Sequence, residues 1–120
     1  MGDSVLSVKS KAFAVRIVNL HKYLTSIKGE YTLSKQLLRS GTSIGANVRE
    51  ANYAQSRKDF ISKMQIALKE TGETEYWLEL LHETNYLTES EFLSIFESCS
   101  ELKRLLISTL KTAKNPSSEK

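Results

Sequence analysis

The amino-acid sequence predicts an all-α protein, an antiparallel up-down-up-down bundle of four helices. The length of 120 residues leaves room for one domain. The single proline is Pro116, so no proline interrupts the preceding chain. Five glycines are few for an all-β domain, whose many turns need them. Apolar residues recur every three or four positions in four long segments, which is typical of packed helices.

The first helix is predicted over residues 4–28. Its apolar residues keep helical phase along one side of the helix. Gly29 follows and is expected to act as a C-terminal cap. The apolar stripe consists of Leu6, Phe13, Ile17, Leu20, Leu24 and Ile27.

The second helix is predicted over residues 32–54. Gly41 and Gly45 cost this helix about 2 kcal/mol relative to alanine, so it needs tertiary packing. Because the two glycines lie four residues apart, they leave one bare patch of backbone for close contact with a neighbouring helix. A phosphate-binding glycine loop is disfavoured, since no strand precedes the glycines and no Gly-Lys-Ser/Thr ending follows. The apolar stripe is Leu37, Gly41, Ile44, Val48 and Ala51.

The third helix is predicted over residues 57–84, with Ser56 and Asp59 at the spacing of an N-cap and the third helical residue. Its stripe runs through Phe60, Met64, Ala67, Thr71, Leu78 and Leu81.

The fourth helix is predicted over residues 89–113. Thr88 and Glu91 have the spacing of a full capping box. The domain is expected to cover residues 1–113, and residues 114–120 are predicted to form a disordered tail. The stripe of the fourth helix is Phe92, Phe96, Cys99, Leu102, Leu106 and Leu110.

Helices three and four carry further apolar residues outside these stripes. A monomer is not expected to expose so large an apolar surface, so we predict a homo-oligomer. The candidate interface residues are Tyr76, Trp77, Leu80, Leu93, Ile95, Leu105 and Ile107.

The net charge of +3 is distributed unevenly along the chain. Residues 70–101 contain nine Glu and no Lys or Arg, whereas basic residues predominate in the rest. One interpretation is solvated helix faces that attract each other within the bundle. The other is a basic surface for RNA or DNA beside an acidic surface for a protein partner. The candidate nucleic-acid contacts are Lys9, Lys11, Arg16, Lys22, Arg57, Lys58 and Lys63.

No residue set in the sequence predicts catalysis, a metal or a cofactor. The single cysteine, Cys99, lies on an apolar stripe and is expected to be a buried thiol. Neither His21 nor His82 has further ligands at metal-binding spacing. No uncharged apolar run approaches the ~20 residues of a membrane span, and the start lacks signal-peptide features. We therefore expect a cytoplasmic protein that is not an enzyme and has no membrane segment.

A polar set lies along one side of the second helix, beside its apolar stripe. Arg39, Ser43, Asn47 and Glu50 are four, four and three residues apart, and Glu73 on the third helix could face them. One interpretation is a half-buried network that sets the helix register. The other is the lining of a pocket or lumen, which in an enzyme would hold a substrate.

Residues 33–51, LSKQLLRSGTSIGANVREA, resemble the hallmark of a bacterial four-helix-bundle family, the 23S ribosomal RNA intervening-sequence proteins. Residues 59–71 and 73–81 also resemble this family, and the similarity extends over residues 13–110. The resemblance implies a homopentamer around a central channel and no established enzymatic activity. It also implies kinship with accessory proteins of diversity-generating retroelements, which bind nucleic acid and the reverse transcriptase. The polar set of the second helix, with Glu73, matches the characteristic polar positions of the family.

Overall fold

The structure, a computed structural model, describes residues 4–115 and consists there of four α-helices without a strand. They are α1 (Val5–Ser26), α2 (Leu33–Asn52), α3 (Arg57–Glu83) and α4 (Glu89–Lys114). The all-α class is therefore confirmed. Lys114, placed in the predicted tail, is instead the last residue of α4, and the rest of that tail from residue 116 lies outside the described residues.

The helices pack side by side into a bundle 52 Å long and about 22 Å across. Helix α2 packs against α1 and α3, and α4 packs closely on α3 but only lightly on α1. Asn52 at the end of α2 donates to the Ser7 hydroxyl near the start of α1 over 2.8 Å. Arg57 at the start of α3 donates to the carbonyl oxygens of Ala113 and Asn115 at the end of α4.

The apolar stripe of α2 is buried as the spacing predicts, whereas the stripe of α4 is rotated. Ile95 is 4% exposed and belongs to the core, so its predicted place on an outer face is wrong. Phe92 and Phe96 are only half-buried. Helix α4 carries apolar residues on two faces, and in its first turns the packing against the bundle buries Ile95 rather than Phe92 or Phe96. The buried row is Ile95, Cys99, Leu102, Leu106 and Leu110.

The two glycines of α2 bring α1 close, which confirms the bare-patch interpretation. A Cβ atom at Gly41 would lie 2.7 Å from Cγ1 of Ile17, and one at Gly45 would lie 3.2 Å from the backbone oxygen of Ser10. Ile17 and Ser10 are themselves buried. Close packing on α1 therefore offsets the low helix propensity of this segment.

The helix ends confirm three predicted caps and add two that were not predicted, of which one is the Ser4 hydroxyl that accepts from the Ser7 N–H. The Ser56 hydroxyl accepts from the Asp59 N–H, and Thr88 with Glu91 forms a reciprocal capping box. Gly29 has a φ of +66°, the left-handed conformation expected after a helix end. Ile27, predicted to lie on the α1 stripe, follows the last helical residue and is exposed.

The other added cap is the carboxylate of Glu30, which the sequence did not indicate. It accepts hydrogen bonds from the N–H groups of Thr32, Leu33 and Ser34 at 3.1, 2.9 and 2.7 Å. Burial raises the pKa of Glu30, but the bonds from these backbone groups outweigh it and the pKa is lowered. The ionised carboxylate thus satisfies the donors that open α2.

Candidate functional site

The polar set predicted on α2 is only partly brought together. The Arg39 guanidinium contacts the carboxylates of Glu70, at 3.4 Å, and Glu73. The Trp77 indole N–H donates to the same Glu73 carboxylate over 3.2 Å. The hydrogen bonds from Arg39 and then Trp77 lower the pKa of Glu73. This arginine cluster (Arg39, Glu70, Glu73 and Trp77) links α2 to α3.

Glu70 and Trp77 were not predicted as members of this cluster, although each lies within about one helical turn of Glu73. Ser43 and Asn47 are instead bonded within α2. The Ser43 hydroxyl donates to the Arg39 carbonyl oxygen over 2.6 Å, and the Asn47 amide donates to the Ser43 carbonyl oxygen over 2.9 Å.

Glu50 lies apart from the arginine cluster. Its side chain is 60% exposed and pairs with Lys63 over 3.2 Å. Its predicted membership of a half-buried network is therefore wrong, because the last turns of α2 present it to solvent. A buried polar link that spacing did not reveal joins the same two helices, where the Thr74 hydroxyl donates to the Ser40 hydroxyl over 3.0 Å.

Four of the seven candidate nucleic-acid contacts are engaged within the bundle, among them Arg57 through the bonds described above. Lys9 pairs with Glu101 over 2.6 Å, and Lys63 pairs with Glu50. Arg16 donates to the hydroxyls of Ser94 and Ser98 on α4. Lys11 and Lys22, on α1, are exposed.

Arg57 and the last candidate, Lys58, lie where the start of α3 meets the end of α4. With Ile61 and Lys114 they line a shallow, open pocket. Cations also occupy the last turns of α2 and α4, where the negative ends of the helix dipoles favour them. We call this region the basic end; it consists of Arg49, Arg57, Lys58, Lys111 and Lys114.

The acidic segment lies toward the other end of α3 and the start of α4. Glu79, Glu83, Glu89 and Glu91 are all exposed there. At a rise of about 1.5 Å per residue, Glu79 is about 33 Å along α3 from Arg57. The alternation of charge along the sequence thus becomes a separation of charge along the molecule.

The candidate interface residues differ in exposure. Tyr76 is 54% exposed and packs edge-on against Trp77, with ring centroids 5.0 Å apart. Leu93 and Ile107 are also exposed. The half-buried members are Trp77, Leu80 and Leu105.

The groups singled out for chemistry occupy structural positions. Cys99 is buried beside the Thr71 carbonyl oxygen, and burial raises the pKa of its thiol to about 12. His82 stacks on Phe92 at 4.3 Å and contacts Glu89 over 2.9 Å. Residues 4–115 contain no cluster of three potential metal ligands. Within the same range, no helix combines the length and hydropathy needed to cross a membrane.

Comparison with known proteins shows the family to which the chain belongs and a similar solved structure. The family model described as 23S rRNA-intervening sequence protein matches residues 3–108. The chain is 59% identical to a protein of unknown function from the S23 ribosomal protein family of Bacteroides thetaiotaomicron VPI-5482, whose crystal structure superposes with a TM-score of 0.88. The match covers 89% of this chain and 99% of that one. No curated protein matches the sequence.

Proposed function

The chain belongs to the family of 23S rRNA-intervening sequence proteins, and we propose that it is a non-enzymatic, self-assembling bundle that binds structured RNA or DNA through its basic end. The observation that carries this proposal is the pocket lined by Arg57, Lys58 and Lys114. Its lining of three cations and one apolar residue fits a phosphodiester backbone, which presents negative charge at regular spacing.

Arg57 contributes to this site in two ways. It is anchored by the carbonyl oxygens of Ala113 and Asn115, so its guanidinium has a defined position at the rim. Lys58 and Lys114 line the same pocket and are exposed. An anchored guanidinium together with exposed ammonium groups suits a phosphate site that does not depend on base sequence.

The proposed assembly is a homopentamer of up-down-up-down bundles. The contacts of Ser7 with Asn52 and of Arg57 with Ala113 support that topology, since each joins the start of one helix to the end of another. The exposed Tyr76, Leu93 and Ile107 support self-association. In a ring each basic end is repeated, so weak phosphate contacts add through multivalency. The proposed location is the cytoplasm, where a bacterial protein meets structured RNA and DNA.

The test is a fluorescence-anisotropy titration with labelled structured RNA and duplex DNA. Several phosphate contacts predict that affinity falls about a hundredfold between 50 and 200 mM salt. The variant Lys58→Gln/Lys114→Gln should weaken binding about tenfold or more. A matched control is Lys28→Gln/Lys35→Gln, which removes the same charge from exposed lysines outside the basic end. Equal affinities of the two variants, or no binding at 50 mM salt, would refute the proposal.

A second candidate function is an adaptor that docks a protein partner on its acidic and aromatic face. The observation that favours it is the exposed Tyr76 ring beside Glu79 and Glu83. This function predicts that one defined partner is captured at both low and high salt, and that the Tyr76→Ala variant no longer captures it. Retention of that partner by a folded Tyr76→Ala variant would exclude this face.

A further inference from the structure

A second apolar row, absent from the sequence-based interface prediction, runs along the outer side of α1. Val5, Val8 and Val15 are 61%, 54% and 51% exposed. With the exposed Ala12 they are three, four and three residues apart, the spacing of a coiled-coil seam. We call these four residues the valine row. The core side of α1 uses different residues, so the bundle itself leaves the valine row uncovered.

The surroundings of the valine row are basic. Helix α1 contains no acidic residue. Lys22 is seven residues after Val15 and therefore continues the line of the row. Lys11 lies one turn from both Val8 and Val15, and both lysines are exposed. This face is thus apolar along its centre and positively charged beside and beyond it.

A surface of opposite charge lies on α3 of the same chain. Tyr76, Glu79 and Glu83 are exposed and three and four residues apart, so they form one row along that helix. We call these three residues the acidic row. It offers an apolar ring for the valines and two carboxylates for the lysines.

We propose that the valine row of one copy packs on the acidic row of a second copy. A symmetric contact between the valine rows of two copies would bring their Lys11 side chains together, and like charges at close range disfavour it. The contact with α3 pairs opposite charges. Because it joins two different faces, one copy of a pair keeps its acidic row free and the other keeps its valine row free, so further copies can add and the arrangement can close into a ring. This inference rests on the self-assembly included in the proposed function and adds the two faces that would meet.

The first test is sedimentation velocity on Val8→Asp/Val15→Asp. Two carboxylates in an apolar contact should raise the concentration needed for half-assembly about a hundredfold. The exposed positions of both valines predict an unchanged circular dichroism spectrum. Tyr31→Asp, an exposed aromatic in the α1–α2 loop, is the control and should assemble like the wild type. Unchanged assembly of the valine variant, or a wild type that is monomeric at about 100 μM, would overturn the inference.

The second test is charge reversal on each face. Lys11→Glu/Lys22→Glu and Glu79→Lys/Glu83→Lys should each lose assembly. Mixing the two should restore association, because every contact between unlike variants pairs opposite charges. The mixture should form pairs and alternating assemblies rather than a closed ring of five, since a ring of five needs at least one contact between like variants. A mixture that stays dissociated contradicts the pairing.

RNA-binding measurements on the same variants distinguish a failure of this inference from a failure of the proposed nucleic-acid binding. Dissociated Val8→Asp/Val15→Asp should still bind RNA, but more weakly because multivalency is lost. Lys58→Gln/Lys114→Gln should assemble normally and bind RNA poorly. If the pairing of the two rows is wrong, Lys58→Gln/Lys114→Gln should still bind RNA poorly. If the nucleic-acid proposal is wrong, the assembly results should still be obtained.

Discussion

Replacing Gly41 with alanine should destabilise the bundle, although alanine is the better helix former. In an open helix the substitution would stabilise by about 1 kcal/mol. Here the new Cβ atom would lie 2.7 Å from Cγ1 and 2.9 Å from Cγ2 of Ile17. Ordinary carbon contacts are about 3.5–4.0 Å, so one of the two helices must move.

The cost of this movement should exceed the gain in helix propensity. Ile17 is fully buried and branched at Cβ, so it has no free rotamer into which it can turn away. Overpacking of this kind costs about 1–3 kcal/mol, and two clashing atoms place Gly41→Ala in the upper part of that range. The expected net loss is about 1–2 kcal/mol in the free energy of unfolding. Urea unfolding followed by circular dichroism, at one protein concentration for all variants, measures it.

Two comparisons isolate the clash. Gly72 lies within α3, and a Cβ atom there would meet nothing within 4 Å, so Gly72→Ala should stabilise by about 0.5–1 kcal/mol. In an Ile17→Ala background both clashing carbons are absent, and Gly41→Ala should become stabilising. A stabilising Gly41→Ala in the wild-type background, or the same effect in both backgrounds, would refute the reasoning.

Three further outcomes are expected. Glu30→Ala should lower the free energy of unfolding by about 1–3 kcal/mol at pH 7, because three backbone donors lose their acceptor. The pKa of Glu30 is lowered in the folded state, so this stabilisation is present above the unfolded pKa of about 4.5 and is lost as pH falls through the folded pKa. In an acid titration, the free energies of unfolding of the wild type and of Glu30→Ala should therefore converge. Cys99, buried with a pKa of about 12, should resist iodoacetamide at pH 8 until urea unfolds the protein, as mass spectrometry would show. Glu50→Ala should change stability by no more than about 0.5 kcal/mol in the same urea assay, because its pair with Lys63 is largely exposed.

Local patterns predicted the features that depend on neighbours along the chain. The caps at Ser56 and Thr88 and the stripe of α2 follow from spacing alone. Where a helix has two apolar faces, as in α4, spacing allows more than one core row, and only packing places Ile95 inside. Glu30 lies before α2 at a position where a capping residue of its type is not expected, so its role depends on the path of the loop.

Contacts between helices were harder to predict from the sequence. Arg39 and Glu70 are 31 residues apart, and their meeting depends on the register of α2 against α3. The valine row of α1 was missed for a related reason. Val5, Val8 and Val15 keep helical phase with one another, but the larger residues of the core stripe dominate the periodicity of that helix.

The nine glutamates of residues 70–101 do not oppose a basic site on the same molecule, because the fold divides them into two groups. Those in the middle of the bundle face cations, as in the pairs of Glu70 with Arg39, Glu75 with Lys103 and Glu101 with Lys9. Others, such as Glu79 and Glu83, lie about 30 Å or more from the basic end.

Charges are screened over about 8 Å at physiological salt, so these carboxylates barely weaken the field at Lys58 and Lys114. The interpretation of helix faces that attract each other therefore holds for the middle of the bundle. If the basic end binds nucleic acid as proposed, phosphate affinity should follow the local charge of that end rather than the net charge of +3.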